Sequence, residues 1–168
     1  MDIFAEQIVR IKNGAGKMLL MALIIIAAAA LTALLLWFSS GYGSVLIIAA
    51  VGVIFGAYKL IGMFFVEYEY IVTNGTVDID KITAKSSRKR IITFECKNIL
   101  RHGRYNPKNP PVTDAAETLV FCNSDEQAYY LLADIGSKKK LIVLSPNDRI
   151  KDAVRQCVAR SMANELFI

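Results

Sequence analysis

The sequence predicts a two-helix transmembrane hairpin joined to a mostly-β domain that finishes in one amphipathic helix. Three observations carry this. No charged residue occurs between Met18 and Tyr58. From Glu67 onward charges are frequent, and apolar residues alternate with polar ones in short runs. After Ser145, apolar residues recur at the spacing of one helix face. The 168-residue chain therefore divides near residue 66 into an anchor and one domain large enough for its own core.

Residues 1–17 come first. Asp2, Glu6 and Arg10 recur every fourth position, with Ile3, Phe4, Ile8 and Ile11 largely opposite. This pattern predicts a short amphipathic helix lying in the membrane interface before Asn13-Gly14 turns the chain inward. A frayed tail is the plainer alternative.

Residues 18–66 are the hairpin. Met18 to Phe38 is apolar apart from Thr32, and at about 1.5 Å per residue it spans roughly the 30 Å hydrocarbon core. The stretch is longer than the apolar part of a signal peptide. No small-x-small cleavage site ends it before the next span, so it is read as retained. Ser39 to Ser44 is a turn of small residues, and a second span follows at about 44–64. Lys59 lies near its end, where a lysine can snorkel to the headgroups. Trp37, Tyr42 and Tyr58 hold interfacial positions. The bend is uncharged, whereas Arg10, Lys12 and Lys17 precede the first span and Lys59, Lys81 and Lys85 follow. The positive-inside rule puts both termini in the cytoplasm. Ala28-Thr32 and Gly52-Gly56 are small-xxx-small pairs that permit close packing, for Gly52 and Gly56 against the first span of the same chain.

Residues 67–168 form the domain. Glu67 to Val72 alternates, with Tyr68, Tyr70 and Val72 facing inward and the two glutamates outward. Asn74-Gly75 is a strong hairpin signal, because both residues tolerate positive φ. Further strands are expected at 76–82, 90–96, 99–104, 118–122, 128–135 and 139–144, giving about seven antiparallel strands. Pro107, Pro110 and Pro111 make 105–117 a loop. Ser145 is the expected N-cap of the last helix and Pro146 its first residue. Ile150, Val154, Cys157, Val158, Ser161, Met162 and Leu166 line one face.

Two spans running into Tyr68-Glu69-Tyr70-Ile71-Val72-Thr73, then Asn74-Gly75, then a basic turn and Arg90-Ile91-Ile92, resemble the bacterial pleckstrin-homology-like membrane proteins. They also resemble a family of small two-span proteins of unknown function. The resemblance implies a PH-like barrel with a capping helix and no particular activity.

Chemistry is scarce. Catalysis by a His-paired nucleophile would rest on His102 alone, and the three cysteines, Cys96, Cys122 and Cys157, form no CxxC or Cys/His cluster. No phosphate-binding glycine loop is present. Asp78 and Asp80 share a strand face that reads as solvent-facing. No catalytic residue, cofactor or metal is therefore expected. The remaining candidate is the basic cluster Lys85, Arg88, Lys89 and Arg90, to which Lys138, Lys139 and Lys140 are candidate additions. Near an anionic membrane each charge contributes roughly 1 kcal/mol of attraction; simple solubility is the plainer alternative for these charges. The expected role is a non-enzymatic, membrane-anchored interaction module whose partners are the bilayer and an unidentified protein. Its oligomeric state is left open. The alternatives are an anionic-lipid sensor and, third, a membrane enzyme. The domain's net charge of +3, from 16 basic and 13 acidic residues, is too modest, and its aromatics too regularly placed on core faces, to suggest nucleic acid.

Overall fold

The computed structural model describes residues 2–42, 44–111, 114–123, 127–158, 163, 166 and 167. The chain forms two compact units. One comprises Met1–Ile11, Glu67–Ile82 and Arg88–Ile168; the other comprises Lys12–Val66 and Thr83–Ser87.

The second unit holds two helices, α1 (Ala15–Tyr42) and α2 (Val45–Gly62). Ala15–Ser39 and Val45–Gly62 are long and apolar enough to cross a membrane, with mean hydropathies of 2.9 and 2.2. They pack on each other through their least exposed positions: Met21, Ile24, Ala28, Thr32 and Leu35 on α1, and Leu46, Ala50, Val53, Ala57 and Ile61 on α2. Steps of three and four keep these residues on one face of each helix. The rest of the surface is apolar and bare, with Leu19 64%, Ile26 64% and Ile48 71% exposed. Such a surface needs lipid, and the two helices fit a two-span membrane protein. Ala28 and Thr32 lie on the packed stripe as expected. Gly52 and Gly56 do not serve it: a Cβ at either would meet nothing within 4 Å. Ala50, Val53 and Ala57 take the place expected for them.

The first unit is two four-stranded sheets and a helix. Strands β1 (Phe4–Arg10), β2 (Val66–Thr73), β3 (Thr76–Thr83) and β4 (Ser87–Glu95) form one sheet in that order. A 3-10 turn, Cys96–Asn98, leads to the second, made of β5 (Ile99–Tyr105), β6 (Glu117–Val120), β7 (Ala128–Ile135) and β8 (Lys138–Leu144) in the order β5-β7-β8-β6. Helix α3 (Asp148–Cys157) follows. Tyr70, Val72, Val77, Ile79, Ile92 and Phe94 of the first sheet meet Leu131, Ala133, Ile142 and Leu144 of the second, and Ile150, Ala153 and Val154 of α3 join the same core. The Tyr70 hydroxyl, buried among them, donates to the Phe121 carbonyl at 2.7 Å.

Four expectations need correction. The amphipathic helix at 1–17 is instead β1, paired antiparallel with β2 from Phe4↔Thr73 to Arg10↔Glu67. A spacing of four returns to the same face of a strand as well as of a helix, so Asp2-Glu6-Arg10 fits both. The free edge of β2 decides for the strand. Next, β6 runs parallel to β8, not antiparallel. The proline-rich segment carries the chain past the β7–β8 pair, and β6 joins from the far side of β8. The N-cap of α3 is Asn147, whose Oδ1 accepts from Ile150 N at 2.9 Å. Ser145 instead donates its hydroxyl to the Gln127 carbonyl. Ser145, Asn147 and Asp148 are all good caps, so local preference does not choose among them. Finally, α3 ends at Cys157. Leu166 lies in a turn beyond it, and Ser161 and Met162 lie outside the described residues.

Candidate membrane-surface site

The basic cluster begins at the turn between β3 and β4. Ala84 and Lys85 both have positive φ, 53° and 57°. This turn belongs to the same unit as the helices. Ala84 N donates to the Phe65 carbonyl at 3.1 Å, and a Cβ on Gly62 would lie 3.4 Å from the Ala84 Cβ. The turn is thus bonded to the end of α2, where the apolar span stops. Lys85 is exposed there. The whole unit contains Lys12, Lys17, Lys59 and Lys85 and no acidic residue. All four lysines lie toward the start of α1 or the end of α2.

The four candidate residues do not act alike. Lys85 and Lys89 are exposed, and neither forms an ion pair among the described residues. Arg88 and Arg90 turn to carboxylates. Arg88 Nη2 donates to Glu69 Oε1 at 3.1 Å, and its Nη1 lies 3.0 Å from Oε2, off the hydrogen-bond direction. Arg90 Nε donates to Asp80 Oδ1 at 2.9 Å, while its Nη1 lies 3.2 Å from Asp78 Oδ2. Asp78 also accepts the Thr93 hydroxyl at 2.6 Å. Half of the cluster is therefore engaged within the domain.

The carboxylates are themselves a correction. Glu69 and Asp80, expected toward solvent, are 1% and 4% exposed. Burial raises the Glu69 carboxyl above its usual range. The neighbouring Glu6 and Asp80 raise it further, and Arg88 opposes them. No local signal foretells this, because a glutamate that alternates with tyrosines reads as the wet side of a strand.

Lys138, Lys139 and Lys140 do not join the cluster. Lys139 pairs with Asp114 and Lys140 with Glu117. The Lys139 ammonium holds the Asp114 carboxyl below its ordinary range. Asp134, Ile135 and Gly136, at the β7–β8 turn, share a shallow cleft with Thr93, Phe94 and Glu95. That is the end of β4 opposite Arg88, about 23 Å away at 3.3 Å per residue.

Half-buried His102 faces Leu131 across the β5–β7 ladder. Cys96 is buried beside Cys157, and burial pushes its thiol up to about 12. Among the described residues no three His, Cys, Asp or Glu side chains gather to hold a metal ion.

The family model for a bacterial PH-like domain of unknown function, DUF6106, matches residues 1–164. The chain belongs to this family. The match takes in β1, both apolar helices and both sheets. No curated protein and no solved structure matches the chain.

Proposed function

We propose that this bacterial PH-like protein is a non-enzymatic, membrane-anchored interaction module on the inner face of the cytoplasmic membrane, with both termini cytoplasmic. One observation carries the reading: the membrane hairpin is spliced between two strands that pair with each other. Phe4–Arg10 lies against Glu67–Thr73 residue by residue, and both spans lie in the chain between them. Paired strands occupy one side of a bilayer, so the intervening chain crosses an even number of times. The lysines at the open ends of the helices and the uncharged bend favour the cytoplasm for that side. Connections of four residues, 11–14, and three, 63–65, join the strands to the spans. A full-length tagged chain, extracted from its native membranes in mild detergent, is expected to retain one protein partner reproducibly and in near-equal amount. An unrelated two-span bait should not retain it. Repeated recovery of the chain alone would count decisively against this role.

A second reading is an orienting contact of the basic turn with anionic lipid. It is favoured by the Ala84–Phe65 bond, which ties the turn to the end of α2. Lys85 and Lys89 are the side chains available for it. In nanodiscs containing phosphatidylglycerol, amine acetylation of Lys85 and Lys89 in the full-length protein should be several-fold slower than in phosphatidylcholine alone. High salt should restore the rate. Equal rates in the two lipids would remove this reading.

A further inference from the structure

Helix α2 carries a single charge, Lys59, in the last turn of an otherwise apolar span. Its side chain is exposed, so it stands among the lipid that surrounds the hairpin. The ammonium lies over the Phe55 ring, 5.6 Å from the ring centroid. A ring face replaces only part of the water that a cation gives up at this depth. No carboxylate answers it. The unit that holds the helices has no acidic residue, and Lys59 makes no ion pair among the described residues. A second cation is fixed nearby by the β3–β4 turn. Lys59 and Gly62 stand at i and i+3, neighbours about 5–6 Å apart on the helix surface. A Cβ on Gly62 would lie 3.4 Å from the Ala84 Cβ, and the Ala84 N–H bond to the Phe65 carbonyl, 3.1 Å, holds the turn there. Lys85 is the next residue, one Cα step of about 3.8 Å further on. It too is exposed and makes no ion pair among the described residues. Two unpaired ammoniums on long flexible stems are thus rooted on either side of the Gly62–Ala84 contact, where the apolar span ends.

We propose that Lys59 and Lys85 together hold the phosphate of one anionic phospholipid at the end of α2. The inference rests on the reading that the basic turn meets anionic lipid. It narrows that reading from a diffuse attraction to a site of defined composition, in which a lysine of the membrane span takes part. The chemistry of the pair sets the ligand. A phosphate accepts charge-assisted hydrogen bonds from both ammoniums. Lys59 is rooted in the apolar layer, which dissolved phosphate does not enter, whereas a phospholipid carries its phosphate to the edge of that layer. A zwitterionic headgroup brings a cation of its own to compete with the lysines, and an anionic one does not. The bound lipid bridges α2 and the turn, adding a second link beside the Ala84–Phe65 bond.

The test is native mass spectrometry on the full-length protein, released from nanodiscs made of an equal mixture of phosphatidylglycerol and phosphatidylcholine. One phosphatidylglycerol is expected to stay bound in preference to phosphatidylcholine. Lys59→Gln and Lys85→Gln should each lower that retention about fivefold or more, the worth of one lysine at an anionic membrane surface. Lys59→Arg should restore it, because a guanidinium also pairs with phosphate. Lys138→Gln removes the same charge from the exposed β7–β8 turn and should leave retention unchanged. Lys59 and Lys85 are both exposed, so the substitutions empty no core, and an unchanged far-ultraviolet circular dichroism spectrum checks this. Equal retention of the two lipids overturns the proposal. So does a loss in Lys138→Gln as large as in Lys59→Gln, or release of the lipid by millimolar inorganic phosphate. Acetylation of Lys89 reads the surface contact separately. If it still slows in phosphatidylglycerol while Lys59→Gln keeps its lipid, the site fails and the surface reading stands.

Discussion

Removing residues 2–10 from the otherwise intact chain should abolish cooperative folding of the β domain while leaving the membrane helices formed. Ala5 and Val9 are 7% and 6% exposed and belong to the core. Between them Gln7 bridges to the far side of the domain. Its Nε2 donates to the Ser145 carbonyl at 2.9 Å, and its Oε1 accepts from Asn147 N at 2.7 Å, at the start of α3. Asn123 Nδ2 donates to the Arg10 carbonyl at 2.9 Å. At the other end, Ile3 and Asn74 exchange two bonds, Ile3 N to Asn74 Oδ1 and Asn74 N to the Ile3 carbonyl, each 2.9 Å. Deletion removes these together with the whole β1–β2 ladder and lays bare the edge of β2 beside Tyr70 and Val72. At about 1 kcal/mol per net hydrogen bond, plus the apolar burial, the loss reaches the order of 5 kcal/mol or more. Small domains have little more than that to lose. Thermal unfolding followed by near-ultraviolet circular dichroism in detergent should show no transition, with the far-ultraviolet helical signal largely kept. An interfacial helix in this position would be dispensable to the barrel. A sharp transition within a few degrees of that of the full chain would therefore refute the strand assignment.

The second large effect is expected from the double substitution Leu166→Ala with Phe167→Ala. Leu166 is fully buried and Phe167 is 5% exposed. The Phe167 ring meets Tyr129 edge-on at 5.3 Å, and both side chains belong to the core that joins the sheets to α3. Arg155 fastens the backbone there, donating from Nε and Nη2 to the Leu166 carbonyl at 3.1 and 2.9 Å. Phe167 holds φ at 65°, a conformation that a bulky residue keeps only where its surroundings enforce it. Emptying two such sites costs about 2–5 kcal/mol for the leucine and about 3–5 kcal/mol for the phenylalanine. Denaturant titration should find the folded domain lost or its midpoint reduced several-fold. A loss below about 1 kcal/mol would mean that these side chains do not fill the core.

Most of the fold could be read from local pattern. Twenty or so residues without a charge have one stable use in a membrane, and the strands of the domain follow from period-two alternation and turn residues such as Asn74-Gly75. The candidate site was legible by position but not by role. Lys85, Arg88, Lys89 and Arg90 look equivalent along the chain. Yet Arg88 and Arg90 are drawn to Glu69 and Asp80, whose burial depends on neighbouring strands that a strand's own alternation does not reveal.

The sequence by itself determined the apolar hairpin, its charge asymmetry and the existence of a β-rich domain, because each depends on nearest neighbours or on bulk composition. Only the tertiary structure decided that Phe4–Arg10 belongs to the β domain, that β6 lies parallel to β8, that Leu166 and Phe167 enter the core, and that Glu69 and Asp80 are buried. Each of these depends on a partner distant along the chain. For β1 that partner lies beyond both membrane spans, and a fourfold spacing is equally at home on a helix or a strand until the open edge of β2 supplies its hydrogen bonds.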